Sequence, residues 1–156
     1  HLARMECVDE EVTELAALLH DICRVKFGGK DHEITGIPEA EKILKDHNYP
    51  QEVIDEVKHC VFTHRASKDN KTETKIAEII RDADAISHFD AIPYLLKAGL
   101  EKNDDEMKKT LEWLSAKLDR DWNNKMHLPE SKRLVEEKYK AARLLIDATL
   151  DCFKED

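Results

Sequence analysis

The chain has 156 residues, enough for one domain with a substantial core, and a formal net charge of −9 that disfavours general binding to nucleic acid or anionic membranes. No apolar run reaches the roughly 18 residues of a membrane-spanning helix, and no signal-peptide pattern opens the stretch, so a cytoplasmic protein is expected. Four Gly and four Pro leave little turn material for a many-stranded β protein, and the abundance of Leu, Ala, Glu, Lys and Ile points to an all-α chain.

Leu2 to Cys7 reads as the last turns of a helix already under way, so the N-terminal helix is expected to be truncated. Asp9 suits an N-cap, and Val12, Leu15, Ala16, Leu19 and Ile22 recur at helical spacing. Val25 to Asp31, around Gly28-Gly29, reads as a polar loop. A helix is expected from near Pro38 to about His47, and another from Pro50 with Val53, Val57, Val61 and His64 on one face. Arg65 to Lys71 reads as a loop. From Thr72 the set Ile76, Ile79, Ile80, Ala83 and Ile86 is again helical. Pro93 opens a short helix ending near Gly99, and Asp104 suits the cap of one carrying Met107, Leu111, Leu114 and Leu118. Pro129 starts the last helix, with Val135, Tyr139, Ala142, Ile146, Thr149 and Phe153 on one stripe. One domain over residues 1–156 is expected. Cys7, Cys23, Cys60 and Cys152 form no Cys-x-x-Cys pair and read as reduced thiols, not a disulfide or zinc framework.

Four features could carry chemistry. His20-Asp21 follows an apolar run at a helix end, where imidazole and carboxylate can both reach a divalent cation. Its plain structural reading is a satisfied histidine beside an exposed capping aspartate. Asp82 and Asp84 flank an apolar helical face, and periodicity does not choose between them; as plain structure they are solvated edge carboxylates. His64 lies on a core stripe at the end of its helix, whereas His59 lies off it. His32 follows the glycine loop. Each signal is modest alone.

Ala16-Ala17-Leu18-Leu19-His20-Asp21-Ile22, followed by basic Arg24, resembles the signature of the HD-domain superfamily of metal-dependent phosphohydrolases. The likeness continues through Asp31-His32-Glu33-Ile34, through Val57 to Arg65, through Thr74 to Asp84, and into Met126 with Lys132-Arg133-Leu134, which resembles the tail of small HD phosphohydrolases. The resemblance implies an all-α, HD-domain helical bundle around a metal. Carried over by position, His20, Asp21 and Asp84 are metal ligands, with Asp82 the fallback. His32 and His64 match positions that hold a second cation in two-metal members and otherwise face substrate.

The implied reaction is hydrolysis of a phosphomonoester or phosphoanhydride, a nucleotide being the first candidate, by metal-activated water. Asp21 would orient or deprotonate that water, and Asp21, His32 and His64 are the catalytic candidates. Arg24, Lys26 and Arg65, close in sequence to the ligands, are the candidate substrate cations. Mn²⁺ or Mg²⁺ is the expected metal, with Fe, Ni, Co or Zn also compatible with mixed His and carboxylate donors.

Three positions depart from the pattern. The family's first His lies roughly thirty residues before the dyad, and His1 stands too close to His20, so that ligand is expected upstream of this stretch. Cys23 stands where relatives often have Gly, and Pro93 interrupts a longer helix. The missing His supports one rival, an inactive ligand-binding or signalling module on the same scaffold. A plain helical interaction domain is a second rival. Oligomeric state is not legible.

Overall fold

The structure, a computed structural model, describes residues 1–65 and 70–154. All its regular elements are helical, and no strand occurs among the described residues. They are α1 (Leu2–Met5), α2 (Glu10–Leu19), α3 (Ile22–Phe27), α4 (His32–Asp46), α5 (Gln51–Thr63), α6 (Lys75–Asp90), α7 (Ile92–Lys102), α8 (Met107–Arg120), a π-helical segment (Asp121–Lys125) and α9 (Pro129–Asp151). Among them no helix is long and apolar enough to cross a membrane. Part of the expected loop from Arg65 to Lys71, residues 66–69, lies outside the described residues.

The chain forms two compact units, His1–Asp82 and Ala83–Asp156, and the boundary falls inside α6. In the first, the apolar stripes of α2, α4, α5 and early α6 bury Ala16, Leu19, Ala40, Leu44, Ile54, Val57, Val61 and Ile80 in one core. That burial removes the apolar face of each helix from water, the main force holding such a unit together. Asp9 caps α2 as expected: its Oδ1 accepts from the Val12 amide at 3.0 Å. In the second unit Phe89, Leu111, Leu114, Leu118, Val135 and Ile146 form a separate core, and the Trp122 and Tyr139 rings stack at 4.5 Å against it.

Several boundaries differ from the sequence expectation. α3 continues helical to Phe27, where a loop from Val25 was expected. α4 starts at His32, six residues before Pro38, because left-handed Asp31 (φ 49°) turns its carbonyl to the amides of Ile34 and Thr35, each at 3.0 Å. The helix simply forgoes the bond Pro38 cannot donate. α6 starts at Lys75, with Thr74 Oγ1 accepting from the Ala77 amide at 3.2 Å. Asp104 does not cap α8; it and Asp105 are left-handed (φ 53° and 61°), and α8 begins after Glu106. Nor does Gly99 end α7, which runs on to Lys102. A Cβ there would come within 2.8 Å of Thr110 and 3.0 Å of the Trp113 ring, so this glycine serves close approach of α7 and α8. The π-helical segment had no counterpart in the sequence reading.

Gly36 lets α4 approach α5 closely: a Cβ there would lie 2.9 Å from Val61 Cγ1. Alanine gains about 1 kcal/mol of helix propensity, but overpacking a β-branched neighbour costs about 1–3 kcal/mol. Gly36→Ala is therefore expected to lower stability by about 1 kcal/mol, read as a Tm drop of about 2–4 °C by thermal circular dichroism. An unchanged or higher Tm would show that the helices move apart freely.

Candidate metal centre

The first unit brings three helix ends together. α2 stops at Leu19, anchored by buried Ala16 and Leu19, which leaves His20 at its C-cap and Asp21 at the start of α3. His32 is the first residue of α4, and His64 follows the last residue of α5. All three histidines have the same backbone tether. His20 Nδ1 lies 2.8 Å from the Ala17 carbonyl, His32 Nδ1 2.9 Å from that of Gly29, and His64 Nδ1 2.6 Å from that of Val61. A carbonyl can only accept, so each Nδ1 carries a proton, which in a neutral ring leaves the lone pair of Nε2 for a metal.

Those lone pairs converge. His32 Nε2 and His64 Nε2 are 3.1 Å apart, and Asp21 Oδ1 lies 3.0 Å from the first and 3.4 Å from the second. Asp21 Oδ1 is buried and accepts no hydrogen bond among the described residues. The ligand atoms of Asp21, His32 and His64 all lie within 4.8 Å of one another. His32 and His64 are 3% and 2% exposed, so water does not screen this arrangement. With the rings neutral and Nδ1 protonated, three lone pairs face one point, and a cation at that point satisfies all of them. The donor set of two imidazoles and a carboxylate fits a divalent metal, and the Nδ1 bonds are the outer support that orients metal-binding histidines.

Asp21 is charged for the task. Burial pushes its carboxyl up, but in acid a hydrogen bond from His64 and the charges of His20, Arg24 and His64 outweigh this and hold it down to about 2. Its second oxygen, Oδ2, lies 3.9 Å from His20 Nε2 and 3.4 Å from Arg24 Nη1. The His20 and His64 rings meet edge to face at 5.1 Å.

The remaining candidate residues fall as follows. Arg24 is 58% exposed at its side chain, and Lys26 is paired with Glu39. Arg65 donates from Nη1 to Glu33 Oε2 at 2.6 Å. Glu33, 1% exposed, had no role in the sequence reading; the cue available was an acid beside His32 in a buried first turn. The Cys23 thiol donates to the Thr35 carbonyl at 3.2 Å, tying α3 to α4, so this departure from glycine supports the site's scaffold. His59, which lies off the core stripe, is half-buried and accepts from the Glu73 amide at 3.0 Å. Asp82, the last residue of the first unit, is fully buried. Asp84 belongs to the second unit, where it pairs with Lys125.

The family model for the HD domain matches residues 1–88. The chain belongs to the HD-domain family. HD domains bind divalent metals, and their superfamily is one of metal-dependent phosphohydrolases, so the converging triad of this HD domain has a ready chemical meaning. The match spans His20-Asp21, His32, His64, Asp82 and Asp84. No curated protein and no solved structure matches the chain.

Proposed function

We propose that this HD domain is a metal-dependent phosphohydrolase acting on a small phosphorylated substrate, with nucleotides the first candidates. The observation carrying the reading is the meeting of His32 Nε2, His64 Nε2 and Asp21 Oδ1, three atoms able to ligate a metal, within 3.4 Å of one another along the measured pairs. A divalent cation there would supply Lewis acidity, lowering the pKa of water and drawing charge from a phosphoryl oxygen. Of Mn²⁺ and Mg²⁺, two imidazoles favour Mn²⁺, since Mg²⁺ prefers oxygen donors.

Asp21 has two working faces. Oδ1 looks toward His32 and His64, and Oδ2 toward His20. This supports two cations sharing the Asp21 carboxylate, one on each side. The family motif adds Asp84 as a further ligand, with Asp82 as its fallback. Whichever oxygen of Asp21 is not fully engaged can hold the attacking water and take its proton.

Among the candidate cations, Arg24 is best placed to take substrate phosphate, because Lys26 is held by Glu39 and Arg65 by buried Glu33. Arg24→Ala is expected to raise KM about 10-fold with kcat less affected, since a charge-assisted hydrogen bond contributes about 1.5–3 kcal/mol. Equal losses of kcat and kcat/KM would instead place Arg24 at the transition state.

The test is elemental analysis of the purified protein followed by a phosphatase and pyrophosphatase screen over nucleotides with Mn²⁺, Mg²⁺, Co²⁺, Ni²⁺, Zn²⁺ and Fe²⁺. Turnover that requires metal supports the reading. Bound metal without turnover on any phosphate ester would favour a ligand-binding or signalling module on the same scaffold. Neither metal nor turnover would end it.

A further inference from the structure

The short helix α3, which starts at the metal centre, carries an outer surface that metal binding does not use. Its inner side is fixed to α4: the Cys23 thiol donates to the Thr35 carbonyl at 3.2 Å, and Lys26 pairs with Glu39. Val25 and Phe27, in contrast, are 84% and 76% exposed. The Val25 amide donates to the Asp21 carbonyl at 3.2 Å, and Arg24 Nη1 lies 3.4 Å from Asp21 Oδ2. Arg24 and Val25 are thus the neighbours of Asp21 one turn along, and Phe27 is the neighbour of Arg24 one turn further. The helix ends where the Gly28 amide donates to the Arg24 carbonyl at 3.0 Å. Beyond its chain neighbours, a Cβ on Gly28 or Gly29 would meet no atom of the described residues within 4 Å, so among these residues the space beside the turn is open.

Val and Phe are middling helix formers, and a solvated position gives neither anything to pack on. Lysine or glutamate would serve an exposed helical position better. Two large apolar side chains beside the arginine proposed for substrate phosphate therefore call for an apolar partner. The place of the patch limits that partner. It begins one turn from Asp21, so a molecule with its phosphoryl group at the metal centre reaches it with its other end. Six residues at about 1.5 Å each carry the helix about 9 Å from Asp21 to Phe27, roughly the reach of a nucleotide from its phosphorus to the far edge of its base. One aromatic ring and one branched side chain suit a flat ring better than the hydroxyls of a sugar. They are too short a run to bury an acyl chain.

We propose that Phe27, with Val25 beside it, is the platform on which the base of a nucleotide substrate stacks while Arg24 holds its phosphate. The inference rests on the reading of the triad as a phosphohydrolase centre and names the part of the substrate that the metal does not select. Stacking uses the face of the base and not its edge, so the platform prefers nucleotides to other phosphate esters without choosing among bases. Phe27 touches the base and not the reacting phosphorus. Its contact is the same in the ground and transition states, and it acts on KM and not on kcat.

The experiment measures three affinities by calorimetry on the full chain loaded with Mn²⁺. The ligands are phosphonate analogues of adenosine monophosphate, ribose phosphate and octyl phosphate, in which CH₂ replaces the bridging oxygen and blocks hydrolysis. The parent is expected to bind the adenosine ligand about 10-fold more tightly than the ribose ligand, a difference of about 1.4 kcal/mol and within the range of base stacking on an aromatic side chain. Phe27→Ala should abolish that preference and leave the ribose ligand at its parental affinity, whereas Phe27→Trp should keep it. Both substitutions are at an exposed side chain, where stability changes little. Arg24→Ala should weaken the adenosine and ribose ligands alike. A Phe27→Ala protein that keeps the parental preference overturns the proposal. An octyl ligand that Phe27→Ala weakens while the adenosine ligand is unmoved would give the platform to an acyl chain, which overturns it as well. If none of the three ligands binds the parent, the phosphohydrolase reading fails and the platform with it. If the adenosine and ribose ligands bind the parent equally, that reading stands and only the platform fails.

Discussion

Asp21→Ala is expected to leave the purified protein without bound metal and without phosphohydrolase activity, while its helical circular dichroism stays at the parental level. Asp21 faces all three histidines of the site: Oδ1 lies 3.0 and 3.4 Å from His32 and His64, and Oδ2 lies 3.9 Å from His20. Losing it removes the anionic donor shared by both faces, leaving the dication to the imidazoles and the proposed ligand Asp84. Changing an outer-shell partner already costs about 10–100-fold in metal affinity, so removing this shared carboxylate should exceed 100-fold. The fold has little to lose, because Asp21 makes no capping hydrogen bond to α3 and contributes nothing to the apolar core. Elemental analysis decides the matter: a variant retaining parental metal content would place the cation elsewhere.

The second large effect concerns stability. Stripping metal with a chelator is expected to lower the Tm of the parent protein by about 5–10 °C and to leave His64→Asn unmoved. At 100 times its Kd a cation stabilises the native state by about 2.7 kcal/mol, and each kcal/mol moves Tm by about 2–4 °C at this chain length. Asparagine is the informative substitution. Its side-chain amide can donate where Nδ1 does, to the Val61 carbonyl that His64 holds at 2.6 Å, but it places no lone pair at the Nε2 position. The 3.1 Å confrontation with His32 Nε2 then vanishes together with the metal site. The metal-free variant should accordingly be no less stable than metal-free parent. If chelation lowers its Tm as far as the parent's, His64 is not a ligand.

Most of the helices were legible because a buried stripe needs apolar residues every three or four positions, and α2, α5, α6, α8 and α9 all carry that spacing. Boundaries were harder wherever one residue type serves two ends. Pro38 read as a helix start but sits inside α4, and Gly99 read as a helix end but admits the side chains of Thr110 and Trp113. The π-helical turn left no trace, since one extra residue in a turn depends on what packs around it.

The candidate ligands were legible by type and family pattern, but their grouping was not. Asp21, His32 and His64 are spread over more than forty positions of sequence, and only the packing of α3, α4 and α5 makes them neighbours. The partners of the cations were equally hidden. Glu33 against Arg65 and Lys125 against Asp84 are each more than thirty residues apart, and charges on an exposed stretch of sequence look alike until burial singles some out.

By itself, then, the sequence determined an all-helical HD domain, because periodicity and the His-Asp signature are local properties of the chain. The tertiary structure decided which nitrogen of each histidine is tied to the backbone and which faces the site, because that depends on carbonyls at helix ends fixing the ring. It also decided which carboxylate oxygen is left buried without a proton to accept, and that is a matter of packing in three dimensions.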